Sequence, residues 1–259
     1  MAASGSSRSR QAVFAGFLGG ICTLLNASAV VIWFLWIGYL YLRAGVRGRQ
    51  LYISAFLFLG AFLATMSPWI LRNALVFGKP ILLRGNLGLE LAVSNCDGAT
   101  ASLSENLSSG IQNRFHPNFR IEEAEVVKSV GEIEYNRRKW SEFRDWVAGN
   151  PARFVALTAE RMSLFWFPAW GDAASGYILS VRLLTLFASA GLIALWGDKN
   201  LYAYFALAVY AAYPALLYFV QASLLYTLPV IWLQLICTGY LIASIPAIRR
   251  MIVRLKLLF

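Results

Sequence analysis

Residues 177–196 read YILSVRLLTLFASAGLIALW, a stretch in which Arg182 is the one charged side chain. At about 1.5 Å per residue, such a run matches the ~30 Å hydrocarbon core of a bilayer and predicts a transmembrane helix. Further apolar runs occupy residues 12–42, 51–66, 201–220 and 224–245. Hydrophobic residues make up 59% of the 259-residue chain and charged residues 14%, against roughly 25% charged in soluble domains. We therefore expect an all-α integral membrane protein.

The first apolar run is too long for one helix perpendicular to the membrane. Residues 12–42 would extend about 46 Å as a single helix, and Asn26-Ala27-Ser28 interrupts the run near its middle. Two structures fit this pattern, a tight helical hairpin or one long tilted helix. The hairpin is favoured because the polar side chain of Asn26 would be costly at the centre of a bilayer.

Residues 71–176 form a polar region with charges of both signs. Its first part, up to about His116, is rich in Gly, Asn and Ser and shows little helical periodicity. Its second part has apolar residues every three or four positions, which predicts helices, with a stop and restart at Gly149-Asn150-Pro151. Ser67-Pro68-Trp69 predicts that the preceding membrane helix ends at the interface. We therefore divide the chain into membrane helices in 1–70, a loop in 71–176, and membrane helices with a basic tail in 177–259.

The distribution of basic residues predicts the orientation in the membrane. Basic segments lie at the N-terminus, at residues 43–49, at Lys199 and in a tail that contains Arg249, Arg250, Arg254 and Lys256. With about six transmembrane helices, all four segments fall on the cytoplasmic side, as the positive-inside rule expects, and the 71–176 loop is extracytoplasmic. Five helices would separate the N-terminus from residues 43–49. This pattern attributes the net charge of +10 to membrane topology and predicts no nucleic-acid partner. The tail could lie on an anionic leaflet as an amphipathic helix.

Three features of the chain carry residues suited to a ligand. Arg72 and Asn73 follow the third membrane helix at headgroup height, where a cation can contact a lipid phosphate. Lys79, Arg84, Glu90 and Asn95 combine donors and acceptors, as a sugar-phosphate site requires. Arg182 is costly within an apolar run and is the third candidate. Each feature also has a plainer interpretation, because arginines near a helix end can snorkel to water and residues 79–95 can form an ordinary surface loop.

Neither a metal site nor a disulfide framework is evident. The chain has one histidine, His116, and three cysteines. Cys22 and Cys237 lie within apolar runs, and Cys96 stands alone in the polar region. These residues predict no His/Cys zinc site and no disulfide within the loop. No cofactor is indicated, and a divalent metal stays an open alternative for which no ligand set is identified.

Short motifs follow one another through the polar region: Pro68-Trp69, Arg72-Asn73, Phe77-Gly78 and Asn86-Leu87-Gly88-Leu89-Glu90, then His116-Pro117, Glu122-Glu123, Gly131-Glu132, Tyr135, Asn150-Pro151, Phe154, Arg161 and Phe165-Trp166. In order and spacing they resemble the C-terminal half of bacterial GT-C superfamily glycosyltransferases, the relatives of protein mannosyltransferases and aminoarabinose transferases. The resemblance implies a cell-envelope enzyme of the bacterial inner membrane that transfers a sugar from a polyprenyl-phosphate donor. It makes two groups of residues candidate substrate contacts: Arg72, Lys79, Arg84 and Arg161 for phosphate or sugar, and Asn73, Glu90 and Asn95 for orienting polar groups.

The chain departs from the family pattern in two places. Family members typically carry a catalytic Asp or Glu in the first outer loop, whereas the corresponding turn here is Asn26-Ala27-Ser28. A motif near the last helix keeps Tyr226 and Pro229 but lacks the family's Arg. These losses support an alternative, a non-catalytic, truncated or degenerate subunit that works with a second membrane chain supplying the missing N-terminal half.

Overall fold

The computed structural model describes residues 2–83, 85–171 and 173–246. The described residues form α-helices and contain no β-strand, which confirms the predicted all-α class. The helices in chain order are α1 (Ala2–Leu25), α2 (Ala29–Arg43), α3 (Gly48–Phe77), α4 (Leu87–Ser94), α5 (Leu103–Ser108), α6 (Ile111–Phe115), α7 (Ile121–Val130), α8 (Glu132–Gly149), α9 (Pro151–Trp166), α10 (Ser175–Gly197), α11 (Leu201–Ala212) and α12 (Leu228–Ser244). Two short 3-10 segments, Leu217–Phe219 and Leu224–Thr227, lie between α11 and α12.

Four helical segments of the described chain are long and apolar enough to cross a membrane. At most 33% of the most apolar window of each segment is buried within the chain, as expected for helices whose solvent is lipid. They therefore indicate a membrane protein. The predicted count of six spans stays a prediction, because α2 is apolar but shorter than these four. The four segments are Gly48–Phe77, Ser175–Gly197, Leu201–Phe219 and Leu224–Ser244.

The first apolar run is broken at residues 26–28, where the hairpin interpretation placed the turn. The Asn26 side-chain oxygen accepts hydrogen bonds from the backbone N–H and the hydroxyl of Ser28, at 3.1 and 2.7 Å. Further along, the Trp33 indole N–H donates to the carbonyl oxygen of Ala15 at 3.1 Å. A bond between these two residues requires α2 to turn back beside α1. The run therefore forms two packed helices and not one long helix.

Pro68 does not end the third helix, and the predicted helix end at Ser67-Pro68-Trp69 was wrong. The helix α3 continues to Phe77 with Pro68 inside it. A proline lacks the N–H that would bond the carbonyl four residues earlier, which here belongs to Ala64. The Ser67 hydroxyl donates to that carbonyl at 2.8 Å, and this bond replaces the missing one. Arg72 and Asn73 consequently lie on the last turns of α3 and not in a loop after it.

The first part of the polar region contains more helix than its sequence predicts. The helices α4, α5 and α6 have eight, six and five residues. Helices this short make too few turns for a periodic pattern to show, so the expectation of an irregular segment was wrong. The second part agrees with prediction, since α8 ends at Gly149 and α9 begins at Pro151.

Glycines allow the apolar helices to pack closely. A Cβ atom added to Gly16 of α1 would lie 2.2 Å from the carbonyl oxygen of Phe58, and one added to Gly20 would lie 2.6 Å from Thr65. The two pairs rise together along the sequence, so α1 and α3 run parallel. Gly191 of α10 similarly meets the backbone of α12. Small residues at such crossings let helix backbones approach and gain van der Waals contact.

Basic residues of the described chain collect at one end of the helices, here termed the basic end. Because α1 and α3 are parallel, their first residues lie together, and α2 ends where α3 begins. Arg43 and Asn200 border one cavity, which brings the turn between α10 and α11 to the same end. The predicted tail lies outside the described residues, and the orientation in the membrane stays a prediction. The residues of the basic end are Arg8, Arg10, Arg43, Arg47, Arg49 and Lys199.

Close packing at Gly16 predicts a specific sensitivity to substitution. Gly16→Ala must force α1 and α3 apart, and we expect it to lower the free energy of unfolding by about 1–3 kcal/mol. Gly60 of α3 has open space around it, so Gly60→Ala should keep or raise stability by up to about 1 kcal/mol. Thermal unfolding midpoints in detergent test this pair. Equal midpoints for the two variants would contradict the close approach.

Candidate functional site

A cleft of about 590 Å³ lies between the end of α3, the loop that follows it, and helices α7 and α8. One side of the cleft is apolar, formed by residues such as Ile81, Leu83, Leu89, Val127 and Ile133. The other carries side chains that can bind charged or hydroxylated groups. These polar lining residues are Arg72, Asn73, Asn86, Glu132, Tyr135 and Asn136.

The end of α3 supplies the cation of the cleft. Gly78 adopts a left-handed conformation with φ +68°, which ends the helix and turns the chain back. Asn73 is buried, and its side-chain NH₂ donates to the carbonyl oxygen of Ile81 at 3.0 Å. The Arg72 guanidinium donates to the Asn73 side-chain oxygen at 3.1 Å and lies 5.7 Å from the ring centroid of Trp69. Asn73 therefore anchors the returning loop and also orients the exposed arginine.

The wall formed by α4 and α8 depends on another asparagine. The Asn136 side-chain oxygen accepts a hydrogen bond from the backbone N–H of Leu89 at 3.1 Å. Gly88 permits this contact, because a Cβ atom there would lie 2.3 Å from the carbonyl oxygen of Asn136. Within α4, the Asn86 side-chain NH₂ donates to Glu90 at 2.9 Å. Glu90 thus acts on the cleft indirectly, by holding Asn86 at its edge.

A buried phenol holds α7 against α8. The Tyr135 hydroxyl donates to the Glu123 carboxylate, which is also 3.4 Å from the ammonium of Lys139. Burial, and then the hydrogen bond to Glu123, raise the pKa of Tyr135 far above its usual value. The phenol therefore stays protonated and serves as a donor. The contact secures α7, whose residue Val127 closes one side of the cleft.

Arg161 belongs to a different, fully buried polar centre. Its side chain is 1% exposed, and it donates to the side-chain oxygen of Asn95 at 2.9 Å, to the carbonyl oxygen of Phe219 at 3.1 Å and to that of Ser94. Asn95 donates in turn to Phe219 at 2.9 Å. Burial lowers the pKa of Arg161 to about 10, so the guanidinium remains charged at neutral pH.

The same centre ties the polar region to the linker between α11 and α12. The backbone N–H of Gln221 donates to the Ser94 hydroxyl at 3.0 Å, and its side-chain oxygen accepts from Asn106 at 3.0 Å. Ala222 pairs with residues 101–103 through two backbone hydrogen bonds. Asn106 is fully buried, so in this fold its amide is not accessible as the acceptor of the Asn106-Leu107-Ser108 sequon.

The structure separates the predicted site residues into two groups. Arg72 and Asn73 line the cleft, Glu90 supports it, and Lys79 is exposed outside it. Asn95 and Arg161 bond to each other in the buried centre, apart from the cleft lining. Arg84 lies outside the described residues, although its neighbours Leu83 and Gly85 line the cleft.

Three cleft residues were missed as candidate contacts when the sequence was read. Glu132, Tyr135 and Asn136 occupy the first turns of α8 and share one face, since residues three and four apart are neighbours on a helix. That spacing was the signal available in the sequence. The Glu132 carboxylate makes no hydrogen bond or ion pair with any residue that the structure describes.

Arg182 is engaged near the aromatic belt at residues 165–170. Its guanidinium donates twice to the carbonyl oxygen of Pro168, at 2.9 and 2.7 Å, and lies 4.6 Å from the ring centroid of Trp170. These contacts satisfy the charge at the start of α10. No group of three or more His, Cys, Asp or Glu side chains suited to a metal ion occurs in the described part of the chain.

The Arg161 centre predicts a large loss of stability on truncation. Arg161→Met leaves the Asn95, Ser94 and Phe219 oxygens with fewer donors, and we expect unfolding to become easier by about 3 kcal/mol. Arg153 is the matched control in the same helix, because it is exposed and donates one bond, to the carbonyl of Ala99 at 3.0 Å. Arg153→Met should cost about 1 kcal/mol or less. A thermal shift as small for Arg161→Met would refute the central role of its guanidinium.

Cys96 should react slowly with alkylating reagents. Burial, with the negative charge of Asp97, raises the pKa of the Cys96 thiol to about 11, and only the thiolate is nucleophilic. In a variant with Cys22 and Cys237 replaced by Ala, iodoacetamide labelling should therefore accelerate about tenfold per pH unit from pH 8 to 10. The comparison is a Cys96→Ser/Ser109→Cys chain, whose thiol lies at an exposed position and whose rate should level off near pH 9. Parallel pH profiles would contradict the raised pKa.

No family model, no curated protein and no solved structure matches this chain. The chemistry that the cleft can support is therefore inferred from its own lining residues. Among these, Arg72, Asn73 and Glu132 are the most informative, because they supply a cation, an amide and a carboxylate to one cavity.

Proposed function

We propose that the chain is a membrane glycosyltransferase-like protein whose cleft binds a polyprenyl-phosphate-linked sugar. The observation that carries the proposal is the position of Arg72, a cation beside Trp69 and Phe77 on the last turns of a long apolar helix. The order of motifs through the polar region, which resembles GT-C glycosyltransferases, supports the same proposal. The donor would be bound on the extracytoplasmic side.

The two sides of the cleft suit the two chemical parts of such a donor. A guanidinium binds phosphate oxygens through charge-assisted hydrogen bonds, which are stronger than neutral ones. Ile81, Leu83 and Leu89 offer apolar surface to the first isoprene units. Asn86, Asn136 and Glu132 offer donors and acceptors to sugar hydroxyls, which matches the polar half of the lining.

A transfer reaction at this site has a definite proton and bond balance. An acceptor hydroxyl attacks the anomeric carbon of the sugar, the bond from that carbon to the phosphate oxygen breaks, and polyprenyl phosphate leaves with the bonding electrons. Arg72 would stabilise the negative charge that grows on the phosphate. Glu132, the only carboxylate among the described lining residues, would accept the acceptor's proton as general base.

The second candidate function is a non-catalytic subunit that binds the donor for another chain. The turn at residues 26–28, where the GT-C resemblance expects a carboxylate, contains Asn26, whose side chain is bonded to Ser28. Under this proposal the second membrane chain supplies the catalytic acid. Binding without transfer by the isolated chain would distinguish it from the first.

Donor binding tests the role of Arg72 directly. Purified protein in detergent would be titrated with radiolabelled polyprenyl-phosphate sugar, and Arg72→Ala should weaken binding about tenfold or more, the value of a charged hydrogen bond. Arg144→Ala is the matched control, an exposed arginine of α8 outside the cleft, and should bind as wild type does. Glu132→Gln should retain binding and lose transfer.

Two results would contradict the proposal. If wild type and Arg72→Ala bind the donor equally, the cleft is not its phosphate site. If the wild-type chain binds and Glu132→Gln transfers sugar as fast as wild type, Glu132 is not the base. Wild-type binding with transfer only after addition of a full-length relative supports the subunit function.

A further inference from the structure

A second cavity, of about 360 Å³, lies at the basic end of the helices, away from the cleft. It is enclosed by the last turns of α2, the start of α11 and the second half of α12. Its size is at the lower end of the range for small-ligand sites, which suits a headgroup more than a whole lipid. Six residues that line it are Tyr39, Arg43, Asn200, Tyr202, Ile236 and Tyr240.

Several polar groups of this cavity have unused hydrogen-bonding capacity. The exposed Arg43 guanidinium makes no hydrogen bond or ion pair with any described residue. Asn200 caps α11 by accepting from the backbone N–H of Tyr202 at 3.0 Å, while its side-chain NH₂ has no such partner. The Tyr202 hydroxyl oxygen is buried and lacks a hydrogen-bond partner within the described chain, which is costly unless a ligand or water supplies one.

The charge around the cavity favours an anion. Asp198 is the nearby carboxylate, and it accepts a hydrogen bond from the Tyr240 hydroxyl. Against this single negative charge stand Arg43, Lys199 and the other cations of the basic end. The positive end of α11 also faces the cavity, because Asn200 and Tyr202 belong to its first turn. A helix N-terminus adds to the attraction that a cation exerts on a phosphate.

The walls above Arg43 are apolar and continue toward the membrane. Tyr39 lies one turn back along α2, and Ile236 lies one turn back from Tyr240 along α12. We propose that this cavity binds the phosphate headgroup of an anionic phospholipid, with its glycerol and upper acyl chains against Tyr39 and Ile236. A free phosphate ion would satisfy Arg43 and leave these apolar surfaces uncovered. Basic pockets between membrane helices bind anionic headgroups in this manner.

Lipid exchange experiments with the full chain test the proposal. The protein would be reconstituted in phosphatidylcholine vesicles that contain increasing phosphatidylglycerol, and the thermal unfolding midpoint would report binding. Arg43→Gln should weaken the apparent phosphatidylglycerol affinity about tenfold or more, the value of a charged hydrogen bond. Arg49→Gln, on the same end but outside the cavity, should weaken it by no more than about fivefold through general surface attraction.

Further arms separate the outcomes. Equal midpoints of wild type and Arg43→Gln in pure phosphatidylcholine show that the variant folds. If it does not fold, Tyr202→Phe replaces it and should also weaken phosphatidylglycerol binding. Equal losses from Arg43→Gln and Arg49→Gln would overturn the proposal in favour of a diffuse charged surface. Inorganic phosphate that stabilises the detergent-solubilised protein as well as phosphatidylglycerol does would overturn it in favour of a free-anion site.

Discussion

The buried guanidinium of Arg161 is the interaction on which the arrangement of the polar region depends. It binds oxygens of Ser94, Asn95 and Phe219, which belong to separate parts of the chain. A guanidinium suits this position because its donors lie in one plane and point in different directions. An unpaired charge at this depth would be very costly. The helix α9, the end of α4 and the linker before α12 are therefore energetically coupled, and the polar region is attached to the apolar helices through this centre.

The cleft rests on a different helix. Because α3 runs without interruption through Pro68 to Phe77, Arg72 and Asn73 are carried on the same rigid element as the apolar span. Their depth relative to that span is thus set by the helix and not by a flexible loop. Asn73 then holds the returning loop through Ile81. This links a local repair of one helix, the Ser67 hydroxyl bond to Ala64, to the geometry of the proposed donor site.

The two cavities at opposite ends of the helices share one physical design. Each places an arginine with unused donors next to aromatic rings, Arg72 beside Trp69 at one end and Arg43 beside Tyr39 at the other. Aromatic side chains and arginines are both favoured where an apolar helix meets water and lipid headgroups. The polar end adds a carboxylate, Glu132, to its cavity, which is what would allow chemistry there in addition to binding.

Local sequence determined the class of the protein and several helix ends. Apolar run length indicated membrane helices, and the breaks at Asn26 and Asn150 followed from polarity and backbone preference, which are properties of neighbouring residues. Pro68 misled because its usual effect on a helix was cancelled by one side-chain bond. Only the tertiary structure decided that Arg161 pairs with Asn95, and that Arg72 shares a cleft with Glu132 and Asn136. Those pairs join residues far apart in the chain, and helix packing, which no local pattern specifies, brings them together.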